Sequence, residues 1–80
     1  MIRISFFAGL KDLAGSPSIE ILWSEGLTVL ELRRRVVEQY PKVEGLLKRS
    51  RALIGDELVE DTVSVPQDAE VSFLPPVSGG

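Results

Sequence analysis

Neither cysteine nor histidine occurs among the 80 residues. Without cysteine there is no disulfide frame, no thiolate nucleophile and no thiolate-held zinc or iron–sulfur cluster. Without histidine the chain lacks the commonest general base and the commonest metal ligand. A Ser-His-Asp or Cys-His site therefore cannot be assembled from it. Basic residues are outnumbered, 9 Lys+Arg against 12 Asp+Glu, for a net charge of −3. That is the reverse of the footprint a nucleic-acid or anionic-membrane binder needs, and neither partner is expected. Long apolar runs are missing as well. The opening MIRISFFAGL is broken by Arg3 and Ser5 and meets Lys11-Asp12 at once, too short for a secretory h-region or a membrane span. The expectation is one small, soluble, cytoplasmic domain with no catalytic site of its own.

What is present reads as a sheet with a helix. Ile2, Ile4 and Phe6 alternate with Arg3, Ser5 and Phe7, the period-two pattern of a half-buried strand. Residues 8–13 predict one helical turn before Gly15-Ser16-Pro17. Ile19, Ile21 and Trp23 predict a second strand, antiparallel to the first. Thr28-Val29-Leu30-Glu31 fits a capping box in which the Thr hydroxyl accepts from the Glu31 amide and the Glu side chain reaches back. Leu27 and Leu32 hold the staple positions, and Val29, Leu32, Val36 and Tyr40 recur at helical spacing until Pro41. Val43, Leu46 and Leu47 predict a shorter helix. Arg51–Ile54 and Glu57–Val59 form a hairpin around Gly55-Asp56, and Glu70–Leu74 is the last strand, with Val71 and Phe73 inward. The order is that of an α+β domain, a β-grasp (ubiquitin-like) mixed sheet with one main helix across it, if the last strand lies beside the first.

Three clusters invite a functional reading. Arg33-Arg34-Arg35 fans around a helix at ~100° per residue, so it reads as a solvated face and not a basic patch. Asp56, Glu57, Glu60 and Asp61 lack the spacing of a calcium loop and read as a solvated acidic turn. Phe7, Leu22, Leu58 and Leu74 fall opposite their strands' core residues, and together they predict a docking patch. Trp23, Phe6 and Phe73 read as core.

The chain closes on FLPPVSGG. Pro75-Pro76 fixes φ at both positions and favours an extended, semi-rigid arm. Gly79 and Gly80 have no Cβ and pass a slot that side chains would block. The chemistry this arm offers is the α-carboxylate of Gly80. The domain is thus read as residues 1–74 and the tail as 75–80.

"FLPPVSGG" resembles the F-hydrophobic-PPV-x-GG ending of the molybdopterin synthase small subunits, the MoaD-type sulfur carriers. "MIRISFFAGLKDLAG" is similar to that family's opening strand and turn, and "EVSFLPPVSGG" to its close. Thiamine-pathway carriers of the ThiS type share the Gly-Gly but usually lack the Pro-Pro. Gly55, where the family often has Asn, and Asp68-Ala69, in place of a Gly-containing turn, depart from the pattern. The resemblance implies a non-catalytic sulfur-donor subunit. An E1-like adenylyltransferase would activate Gly80 with ATP, a sulfur donor protein would convert it to a thiocarboxylate, and the synthase large subunit would carry the active site. There the sulfur would pass to cyclic pyranopterin monophosphate to build the dithiolene of molybdopterin. Phe7, Leu58, Leu74, Pro75, Pro76, Val77, Ser78 and Gly79 would contact partners. No cofactor would reside on the chain, since the ATP is consumed by the activating partner. A ubiquitin-like protein modifier, or a carrier for thiamine synthesis or tRNA thiolation, would use the same activated terminus.

Overall fold

A five-stranded mixed sheet in the order β2-β1-β5-β3-β4 organises the chain, and the computed structural model describes residues 1–76. β1 (Ile2–Phe6) pairs antiparallel with β2 (Ser18–Ile21) and parallel with β5 (Glu70–Leu74). β3 (Arg51–Ile54) pairs antiparallel with both β5 and β4 (Glu57–Val59). Between them lie α1 (Gly9–Ala14), α2 (Val29–Gln39), a 3-10 turn (Pro41–Val43) and α3 (Glu44–Lys48). The first and last strands are neighbours at the centre, as the β-grasp expectation requires. No helix among the described residues is long and apolar enough to cross a membrane.

Alternation decides which face is buried. Ile2, Ile4, Phe6, Val71, Phe73 and Ala52 point to the helix side, where Val29, Leu32 and Val36 of α2 meet them. Leu10, Val43 and Leu47 close one end of this core. Tyr40 joins at its edge, with its ring edge-on to Phe6 at 6.4 Å. The short helix is present, and its Gly45 faces open space.

The start of α2 shows why this segment is helical. The first backbone N–H groups of a helix have no partner within it. Here Val29 N–H donates to the Val63 carbonyl, Leu30 N–H to the Asp61 carbonyl, and Glu31 N–H to Thr28 Oγ1 at 3.2 Å. Leu27 and Leu32 are buried in the staple positions. The return half of the capping box is not made. Glu31 pairs instead with Arg34 at 3.2 Å and Arg35 at 3.7 Å, because two cations one turn on offer the carboxylate stronger contacts than one neutral amide. β2 is also shorter than expected: it ends at Ile21, and Trp23 lies beyond it, partly buried, with Nε1 donating to the Val65 carbonyl at 2.7 Å. The indole N–H needs a partner when it leaves water, and the β4–β5 connection supplies it.

Arg33 corrects the expectation of a solvated arginine face. Its Nε donates to Asp61 Oδ1 at 2.9 Å, and its two terminal nitrogens donate to the carbonyls of Leu47 and Ser50. The guanidinium lies over the Phe73 ring, 5.1 Å from its centroid. Only Arg34 of the three is largely in water; Arg35 is half-buried and donates to the Leu22 carbonyl and Ser24 Oγ.

Two non-glycine residues adopt positive φ. Asp68 sits at φ 61° in the turn before β5, a conformation that Asp tolerates better than most residues, so the departure from a Gly-containing turn leaves its geometry intact. Ala8, at φ 50° and ψ −126°, occupies a region that suits glycine. It is held by Leu10 N–H donating to the Phe7 carbonyl and Asp12 N–H to the Ala8 carbonyl. Gly55 takes φ 60° at the first position of the β3–β4 loop, as a two-residue hairpin turn favours.

Two outcomes follow for stability. Arg33→Lys keeps the charge but not the fork, so the Leu47 and Ser50 carbonyls cannot both be satisfied. It is expected to lower the unfolding free energy by about 1–3 kcal/mol, read from urea melts. Ala8→Gly relieves the strained turn and is expected to raise it by about 0.5–1 kcal/mol in the same assay.

Candidate functional site

Parallel pairing of β1 and β5 brings Phe7 and Leu74 to the same end of the sheet. Phe6 is level with Phe73, so the next residue of each strand leaves the core together. Phe73 is fully buried, whereas Leu74 is 37% exposed and Phe7 45%. Pro75 and Pro76 follow, half-buried and exposed. A groove forms where they leave, lined by Phe7, Ala8 and Gly9 on one side and by Leu46, Leu74 and the two prolines on the other. The strained Ala8 turn is one wall of it. A Cβ on Gly9 would meet Leu46 Cδ2 at 2.9 Å, a contact that the end of the Leu46 side chain would have to yield.

Leu58 lies on the same solvent-facing side but two strands away. It is paired with Leu53 on β3, Leu53 with Ser72 on β5, and Arg51 with Leu74. The outer face thus carries Phe7 and Leu74 at the tail end and Leu53 and Leu58 beside them, with Arg51 between. Leu53 was not among the expected patch residues. Its signal was present in the alternation of Arg51-Ala52-Leu53-Ile54, since an inward Ala52 sends Leu53 outward. Leu46 had no such signal, because its place in the groove depends on how α3 docks.

Leu22 does not join this patch. Ile21 pairs with Ile2, so Leu22 is level with Met1 at the opposite end of the sheet from Phe7, about 20 Å away along β1. It is a separate exposed residue. The acidic residues also stay apart in role: Asp61 binds Arg33, and among the described residues no group of three acidic side chains is placed to hold a metal ion. Val77, Ser78, Gly79 and Gly80 lie outside the described residues.

At this end the described residues form an apolar rim beside an exit of two prolines. The model of the ThiS family matches residues 4–80. The molybdopterin synthase sulfur carrier subunit of Escherichia coli (strain K12) is 30% identical over 82 residues, spanning 100% of both chains. Among solved structures, SAMP1 from Haloferax volcanii superposes with a TM-score of 0.89 at 23% identity, covering 99% of this chain and 98% of that one. A chain of the complex of subunits 1 and 2 of molybdopterin-converting factor from Helicobacter pylori is similar at a TM-score of 0.70 and 20% identity, covering 99% of this chain and 97% of that one. The two structures share the fold, and the sequence matches go further: the chain belongs to the ThiS family, to which its likeness to a molybdopterin synthase sulfur carrier subunit extends over its whole length.

Proposed function

We propose that the chain is the sulfur carrier subunit of a molybdopterin synthase and that its working group is the α-carboxylate of Gly80. The observation that carries this reading is the end of β5, where a fully buried Phe73 is followed by exposed Leu74 and by Pro75-Pro76 beside the Phe7 groove. Residues 1–74 are then a docking body and 75–80 a threaded arm. The family match running to residue 80, and the end-to-end match to the Escherichia coli subunit, support it.

The chemistry runs on partners. A carboxylate is a poor acyl electrophile, so an E1-like adenylyltransferase first lets a Gly80 oxygen attack the α-phosphorus of ATP, and pyrophosphate leaves. A sulfide equivalent from the donor protein attacks the acyl carbon, AMP leaves, and a thiocarboxylate remains. In the synthase large subunit that sulfur bonds to a side-chain carbon of cyclic pyranopterin monophosphate as a carbon–oxygen bond there breaks, the oxygen leaving as water or with the opened cyclic phosphate. Water then cleaves the acyl–sulfur bond to restore the Gly80 carboxylate. A dithiolene holds two sulfurs and each carrier delivers one, so two loaded carriers serve each product. Phe7, Leu58, Leu74, Pro75 and Pro76 grip the partner, and Val77, Ser78 and Gly79 span the distance to its active site. ATP is spent on the activating partner, and this chain holds no cofactor.

Incubation with ATP, the adenylyltransferase and sulfide is expected to add the mass of one oxygen-to-sulfur exchange. Deleting Gly80 draws the carboxylate back about 3.5 Å, against ~0.5 Å tolerated by a productive site. Deletion, or one appended residue, is expected to abolish the mass change with circular dichroism and melting temperature unaltered. An extended tail that gains sulfur without being trimmed overturns the mechanism, and a stable lysine adduct in place of the thiocarboxylate marks a protein modifier instead. Leu74→Asp is expected to change stability by no more than about 0.5 kcal/mol while weakening the complex with the large subunit. A large stability loss would show that Leu74 belongs to the core.

A further inference from the structure

The outer face of the sheet carries a cation among its leucines. Ala52 is 1% exposed and turned into the core, which sets Arg51 and Leu53 on the solvent side of β3. Arg51 is exposed and beside Leu74 in register, and the hollow it lines with Leu58 and Glu60 reaches round the sheet edge to Val59 and Arg33. The ion pairs among the described residues engage Met1, Arg33, Arg34 and Arg35, and none engages Arg51. Glu60 is near but does not pair with it. Arg3, the other cation facing outward from the sheet, has two carboxylates in register, Glu20 and Glu70, whereas Arg51 has Glu60 on one side only and Leu74 on the other. An exposed arginine beside apolar residues, with no ion pair among the described residues, is the residue type that anchors protein interfaces, and its fork matches a carboxylate.

We propose that Arg51 is a specificity-determining anchor of the tail-side docking surface, and that the large subunit presents to it a carboxylate rimmed by apolar side chains covering Leu53, Leu58 and Leu74. The inference rests on the carrier reading above and adds the chemistry of the partner's surface. Charge supports this choice of occupant. The chain is acidic, at −3, and Glu57, Glu60 and Glu70 lie on or beside the same sheet. A partner carboxylate is therefore repelled in most orientations and welcomed at Arg51, which fixes the rotation in which the tail enters.

The test is binding of the large subunit from the same organism to the full chain and to Arg51→Lys, Arg51→Glu and Leu74→Asp, measured kinetically at low and high salt. All are expected to keep the wild-type circular dichroism. Arg51→Glu is expected to weaken binding about tenfold or more and to remove the slowing of association by salt. Arg51→Lys, with a point charge in place of the fork, is expected to lose about threefold. Wild-type affinity and salt dependence in Arg51→Glu, with binding abolished in Leu74→Asp, overturn the anchor and leave the docking surface standing. Wild-type binding by Leu74→Asp as well overturns the surface and the anchor with it.

Discussion

The Arg33 guanidinium rests on the face of Phe73 and holds three other segments by its fork: Asp61 in the β4–β5 connection, Leu47 near the end of α3, and Ser50 before β3. A cation removed from water is costly unless its donors are met, and here the donors and the ring are supplied by parts of the chain that would otherwise meet only at their edges. Its position fixes Phe73, and through Phe73 the level at which Leu74 and the prolines leave the sheet. The tail's direction is thus referenced to the helix as well as to the neighbouring strands.

The β4–β5 connection has no regular secondary structure of its own beyond a single bridge, yet it is tied at both margins. Carbonyls from it close the N-terminus of α2, Thr28 bridges Ser64, and the Trp23 indole donates to Val65. A loop whose backbone groups are spent in this way behaves as part of the scaffold. What is left for recognition is the opposite, solvent-facing side of the sheet and the end where the strained Ala8 turn stands against α3. The two sides of the sheet divide the labour: one holds the body together, and the other is the face proposed above to meet partners.

Much of this was legible in the sequence because it depends on local periodicity. Strand alternation, the Thr28 cap, the Leu27–Leu32 staple and the Gly55-Asp56 hairpin all act within a few residues, and the exposed Phe7, Leu58 and Leu74 follow from the same alternation. Arg33 was misread because nothing near it in sequence distinguishes it from Arg34; its partners come from 14 to 28 residues away. Glu31 was misassigned for a related reason, since two competing cations were available to it. Trp23 broke its pattern because one long-range hydrogen bond outweighed the preference of a single terminal strand position. Leu22 shared the composition of the patch but not its end of the sheet, which only register reveals.

The central pairing of β1 with β5 has a consequence for how the protein is made. Partners drawn from opposite ends of the chain form contacts of very high contact order, and such contacts form late because a large loop must close first. During synthesis β1 waits, with only β2 as a local neighbour, until Val71 and Phe73 have left the ribosome. The hydrophobic face of the sheet therefore completes itself only once β5 has emerged, and a chain that stops short of it has no stable body.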